Sequence, residues 1–391
     1  MNGSPNPNFD FYTFPTATAA PTPIFAEPAP QSEQTAKVSE AGEVVRPVVE
    51  PPRATSDESA QKRRLRRLMR RSHSRAGWGF TLMFLAWYTV SGALITLAPE
   101  LFPAAWVESE LFISLASTLP LYVVGIPLLC LLLAGLPRER VHKQRLRFGG
   151  SFAFYCIALT FLTLGAFLGN TVMAIAGEIS GVDYANSLET LFSMPVFATL
   201  LLSCLLAPTF EELIFRKLLL ERLLPFGKRS AVLLSALLFG LIHGNFYQFF
   251  YSVLLGILLA CLYLRTGKLR ACILLHALVN FTGGVLSMLV TGYLDLEKLS
   301  ELSTDVTALV EYLLANPVGA ALLLLYEFLM YGLGLVGLIL LFTTKKKWKS
   351  LLDRKDRLPD MPHKTAPKLF NSGMIVALLA SVLLFAAYFA A

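Results

Sequence analysis

Two adjacent glutamates, Glu211 and Glu212, stand just ahead of Arg216 in the run APTFEELIFRK. Further along, Phe239 leads His243 by four residues in LLFGLIHGN, and His276 leads Asn280 by four in LLHALVNFTGG. Glu212 and Arg216 share that spacing, and residues four apart lie on one face of an α-helix. Each segment would therefore present a single polar face. A carboxylate facing a wet cavity in apolar surroundings can take a proton from water. His243 could orient that water or bind a metal. His276 and Asn280 carry N–H donors suited to the oxyanion formed when water attacks an amide carbonyl. The set holds what amide hydrolysis requires: a base, a water-positioning group and oxyanion donors.

Other hydrolytic chemistries fit less well. No GxSxG turn is present to expose a serine nucleophile, and no cysteine lies in the three motifs. None of the five histidines is followed by glutamate, so a zincin-type HExxH helix is absent. Singly, each motif has a plainer account. Glu212 and Arg216 could form a structural ion pair, His243 could sit at an interfacial helix end, and His276 with Asn280 could be interhelical hydrogen-bond glue. Together these accounts fail, because the three segments are consecutive and carry most of the ionisable groups within apolar runs. Glu327, alone in the span after Gly319, reads as a packing or water-cavity residue and is left outside the site.

The elements that must position these groups belong to a lipid environment. Of the 391 residues, 55% are hydrophobic and only 16% charged, and mean hydropathy is +0.58. No soluble core hides that much apolar surface. Apolar runs fall at about 76–98, 111–135, 151–177, 194–220, 230–244, 247–264, 270–291, 319–342 and 372–390. A ~30 Å hydrocarbon layer needs ~20 helical residues, so the expected fold is an all-α polytopic bundle of about nine transmembrane helices (eight or nine). At ~1.5 Å per residue, Glu211, His243 and Asn280 lie roughly 15–20 Å from their nearest basic helix ends. An ionisable group at that depth marks a functional site by default.

The net charge of +7 is distributed in a way that excludes nucleic acid as the partner. Basic runs at 62–75, 138–147, 222–229, 265–270 and 345–368 alternate with loops holding acids such as Glu108, Glu110, Asp183, Asp295 and Asp305. Lys and Arg stay on the cytosolic side of inserted helices, which puts the N-terminus in the cytosol and, with nine spans, the C-terminus outside. Residues 1–60 hold ten of the 22 prolines and read as a disordered Pro-rich cytosolic tail. A basic juxtamembrane segment, 61–75, and the membrane bundle, 76–391, come next. Cys130, Cys156, Cys204, Cys261 and Cys272 are scattered through apolar runs without CxxC spacing, as small buried hydrophobes would be.

At the three motifs the chain resembles the CPBP family of CAAX proteases and bacteriocin-processing enzymes, also called Abi, whose best-known members are type II CAAX prenyl endopeptidases. EExxxR corresponds to Glu211, Glu212 and Arg216, FxxxH to Phe239 and His243, and HxxxN to His276 and Asn280. The likeness covers about 193–285. It implies an intramembrane endopeptidase acting on a membrane-associated substrate, CAAX-type or lipidated, in the plasma membrane of a prokaryote. By that likeness Glu211 and His243 activate water, His276 and Asn280 stabilise the oxyanion, Glu212 completes the catalytic set, and Arg216 and Phe239 support it. Glu211, His243 and His276 could also form a His2Glu zinc site. The sequence does not separate that from a metal-independent arrangement of the same residues, which we favour. A non-catalytic immunity or scaffolding protein of the same fold, and a transporter with a midplane proton site, are the competing functions.

Overall fold

Every apolar run expected to meet lipid is helical in the computed structural model, which describes residues 56–391 apart from 137, 183, 185, 187–193, 225–226, 303–304, 353–370 and 391. The Pro-rich tail lies outside the described residues up to 55. The chain divides between Leu65 and Arg66, and the bundle belongs to the part from Arg66 onward.

Among the described residues there are nine long helices. They are α1 (Ser56–Leu101), α2 (Glu110–Leu133), α3 (Phe148–Ser180), α4 (Val196–Leu223), α5 (Lys228–Leu241), α6 (Phe246–Thr266), α7 (Leu269–Thr291), α8 (Pro317–Thr343) and α9 (Ser372–Ala390). Among the described residues, eight are long and apolar enough to cross a membrane. The exception is α5. Its 14 residues reach only ~21 Å, so the run at 230–244 is not a full span.

Instead α5 is one arm of a hairpin. Gly244, at φ +68°, makes the turn in the left-handed region that glycine tolerates best. Asn245 caps α6 by accepting the Gln248 N–H at 3.0 Å. Gly240 then faces Val253, and Gly256 faces Ala236, the register of antiparallel neighbours. The core of the bundle is α3 and α6, flanked by α5 and α8. Gly165 and Gly169 of α3 lie directly against the backbone of Tyr251, Phe246 and Tyr247 in α6. A side chain at either glycine would push the helices apart, which is why small residues recur at such crossings in lipid.

The basic segments meet at one end of the bundle. Glu139 N–H donates to Glu221 O at 2.7 Å, and Gln144 N–H to Thr266 O at 2.8 Å. Arg229 Nε donates to Leu352 O at 2.8 Å, and Arg75 Nη2 to Leu132 O at 2.8 Å. The segments read from charge as sharing one membrane face are thus neighbours in space.

Several of the helices change pitch within the span. Stretches of π-helix run over Leu121–Gly125, Leu200–Leu206, Leu213–Leu220, Phe281–Leu286 and Phe328–Gly332. Such wide turns cost regular hydrogen bonding and are frequent at functional sites.

Candidate active site

In α4 the pair Glu211–Glu212 closes a single α-helical turn and a half, Ala207–Glu212, held between two π-helical stretches. The pair divides by burial. Glu212 is fully buried, while the Glu211 side chain keeps 17% of its exposure. Adjacent residues on a helix point about 100° apart, so one can face the core and the other a cavity.

Arg216 answers the buried carboxylate. Its Nε lies 2.8 Å from Glu212 Oε2, and its Nη2 lies 3.4 Å from Oε1. The same guanidinium reaches Ser235 Oγ of α5 at 3.3 Å and lies 5.2 Å over the Phe239 ring. Ser235 in turn donates to Phe215 O at 3.0 Å. A charge pair out of water persists only when its remaining donors and acceptors find partners, and here they do.

His276 joins the two glutamates. Nδ1 is 3.2 Å from Glu212 Oε1, and Nε2 is 3.9 Å from Glu211 Oε2. Since an ionised carboxylate only accepts, Nδ1 carries the hydrogen. Phe239 holds both imidazoles edge to face, with ring centroids 5.6 Å from His276 and 5.4 Å from His243. That contact gives the FxxxH spacing a physical purpose.

His243 lies just past the end of α5. Its Nδ1 is 2.9 Å from Phe239 O. A carbonyl accepts only, so Nδ1 is the donor and the neutral ring offers Nε2 as an acceptor. Ser252 Oγ of α6 lies 3.4 Å from that nitrogen.

Asn280 ends the α-helical part of α7, directly before the π-helical stretch Phe281–Leu286. Its Nδ2 donates to Ser203 O of α4 at 2.8 Å. The reason that carbonyl is free lies in α4 itself. Ala207 N–H bonds Leu202 O, five residues back. The next bond in this register would come from residue 208 to Ser203 O, but residue 208 is Pro208, which has no N–H. Asn280 takes the acceptor that proline leaves, with one amide hydrogen still to give.

Glu211, His243, His276 and Asn280 all line one cavity of about 910 Å³. Glu211 Oε2 is buried against it and accepts no hydrogen bond from the described residues. Glu212 and Arg216 stand behind the wall. Glu327, set aside on sequence grounds, lines the same cavity. Ser203, Ser235 and Ser252 were not legible as site residues, since single serines in apolar helices carry no spacing signal. Pro208, in APTFEE, was the available clue to Ser203.

A three-ligand zinc site fits this geometry poorly. The ring nitrogens are not the obstacle, since His276 Nδ1 turned to Glu212 and His243 Nδ1 turned to a backbone carbonyl leave both Nε2 atoms open; the spacing of the side chains is. Among the described residues, no group of three His, Cys, Asp or Glu side chains is arranged to hold a metal ion.

Residues 193–282 match the family described as type II CAAX prenyl endopeptidase Rce1-like. The chain carries an Rce1-like domain of the CPBP/Abi family. That match spans the three motifs, α4 to α6 and the first part of α7, while α3 and α8, which also line the cavity, lie outside it. No curated protein matches the chain, and no solved structure does. Together with the eight apolar helices, the Rce1-like domain identifies a multi-pass integral membrane protein of a protease family.

Proposed function

We propose that this Rce1-like protein is an intramembrane endopeptidase that hydrolyses a peptide bond of a membrane-associated protein or peptide. The observation that carries the reading is the approach of His276 Nε2 to within 3.9 Å of Glu211 Oε2, in a cavity shared with His243 and Asn280.

Water enters the cavity between Glu211 and His243. Glu211 Oε2, with no protein donor of its own, accepts a proton from that water as oxygen attacks the carbonyl carbon. His243 Nε2 accepts a second hydrogen of the same water and so fixes its direction. Negative charge gathers on the substrate oxygen. The remaining Asn280 N–H donates to it, and so does His276 Nε2–H, which exists only in the doubly protonated ring because Nδ1–H is given to Glu212. Glu211 then returns the proton to the leaving amine, and both products carry their ordinary termini.

Glu212 and Arg216 serve this chemistry indirectly. Their ion pair fixes the rotamer of His276 from behind and carries no proton in the reaction. A CAAX-type or otherwise lipidated substrate agrees with the family of the domain and with a cavity lined in part by apolar side chains such as Leu335 and Leu338.

Glu211→Gln tests the reading. It keeps the shape and removes the base, so turnover of a reporter peptide in proteoliposomes should fall by about 10²–10⁴-fold while the purified protein unfolds at an unchanged temperature. Wild-type turnover in the Glu211→Gln protein would refute the assignment.

A further inference from the structure

Glu327 is an acidic residue in mid-span, half-buried and with no role in the hydrolytic steps. Four features of its setting bear on what it does. It lines the same cavity as Glu211, His243, His276 and Asn280. Among the described residues lining that cavity there is no Lys or Arg, so no permanent cation of the wall answers it. It stands immediately before the π-helical stretch Phe328–Gly332. Glu212 and Asn280 occupy the same place, each directly before a wide turn of its own helix.

Helix register puts Glu327 on the level of the active-site histidine. In α8, Gly334 faces Thr160 of α3, and Gly337 faces Cys156, so Glu327 falls opposite about Phe167. In α6, Tyr251 faces Gly165 and Tyr247 faces Gly169, which puts Phe167 opposite about Phe249, within one helical turn of Ser252, whose Oγ lies 3.4 Å from His243 Nε2. The carboxylate thus lines the same cavity at about the depth of the hydrolytic groups, where a bound peptide reaches it within a few residues of its scissile bond.

A carboxylate kept within a membrane span without a Lys or Arg of its own chain beside it is stabilised most by a cation brought from outside. We propose that Glu327 is a specificity-determining residue that binds the guanidinium or ammonium group of a basic side chain near the cleaved bond, so that the preferred substrate is a membrane-associated peptide bearing an Arg or Lys there. This rests on the reading that the cavity holds a peptide. It assigns Glu327 no part in moving protons or in stabilising the oxyanion.

The test uses the full-length protein in phosphatidylcholine nanodiscs, whose neutral lipid attracts neither charge. A set of labelled apolar peptides carries one Arg scanned along the chain, each matched by a twin with citrulline, the neutral near-isostere. Binding is read by fluorescence anisotropy and cleavage is read in the same samples. In wild type, at one or more positions the Arg peptide binds about tenfold tighter than its twin, as one partly desolvated ion pair allows. Glu327→Gln brings that ratio close to one, and Glu327→Lys inverts it. A structural role for Glu327 would weaken both twins together and leave the ratio alone. The inference is overturned if Glu327→Gln keeps the wild-type ratio, or if no position favours Arg. Absence of cleavage with the binding preference intact would instead remove the endopeptidase reading and leave the cation site standing.

Discussion

Arg216 shows how tightly single side chains are bound to one another in this protein. It is fully buried, and its charge is answered by Glu212, Ser235 and the face of Phe239. Removing one partner leaves the other as an uncompensated charge in the dark of the helix bundle. Arg216→Met should therefore destabilise the protein by about 3–5 kcal/mol, read as a fall in its unfolding temperature in detergent. The double variant Glu212→Leu with Arg216→Met removes both charges and should recover much of that loss. It should not recover turnover, because His276 then loses the carboxylate that fixes its ring. Asn280 belongs to the same scale. Asn280→Ala removes one oxyanion donor and should cost roughly 10²–10³-fold in turnover, with substrate affinity changed little. If binding weakened and turnover did not, Asn280 would be a packing residue only.

At the scale of the helix, the wide turns matter more than the straight stretches. Pro208→Ala would supply the N–H that Ser203 O lacks, and Asn280 would lose its anchor to the restored backbone bond. The helix should hold as well as before or better, since proline inside a helix is costly, while turnover falls roughly tenfold or more, as a catalytic donor left free to rotate allows. Measuring unfolding temperature and turnover on one preparation separates the two effects. A variant with full activity would show that Asn280 needs no such anchor. Gly165→Leu addresses the crossing of α3 and α6. It forces a side chain into the Tyr251 backbone and should lower stability by about 1–3 kcal/mol.

These elements also mark where sequence was informative. Glu212 with Arg216, and Phe239 with His243, could be placed together because a four-residue spacing survives any packing of the helices. His276 against Glu211 could only be suggested, through similar depths on three helices. The contact itself depends on how α4, α5 and α7 cross. Phe281–Leu286 and Leu200–Leu206 are composed like any apolar helix, so nothing in them announces a change of pitch. Glu327 was passed over because it has no partner four residues away. The run at 230–244 is short already in the sequence, and the turn at Gly244 shows where α5 stops.

For the whole molecule, the arrangement of charge leads to a claim about sidedness. The segments at 138–147, 222–229 and 265–270 sit together at one end, and Lys and Arg are retained on the cytosolic face during insertion. A cysteine put in place of Arg140 should react with a membrane-impermeant maleimide in inverted vesicles and not in intact cells. The opposite pattern would reverse the orientation, and with it the side from which substrate arrives.

Glu212 and Arg216 lie on one helix, a single turn apart. During synthesis, α4 can enter lipid with its opposite charges already joined, as a neutral dipole rather than as two ions waiting for later helices to rescue them. The ion pair that fixes the finished pocket would thus also ease its own biogenesis, one nascent helix at a time.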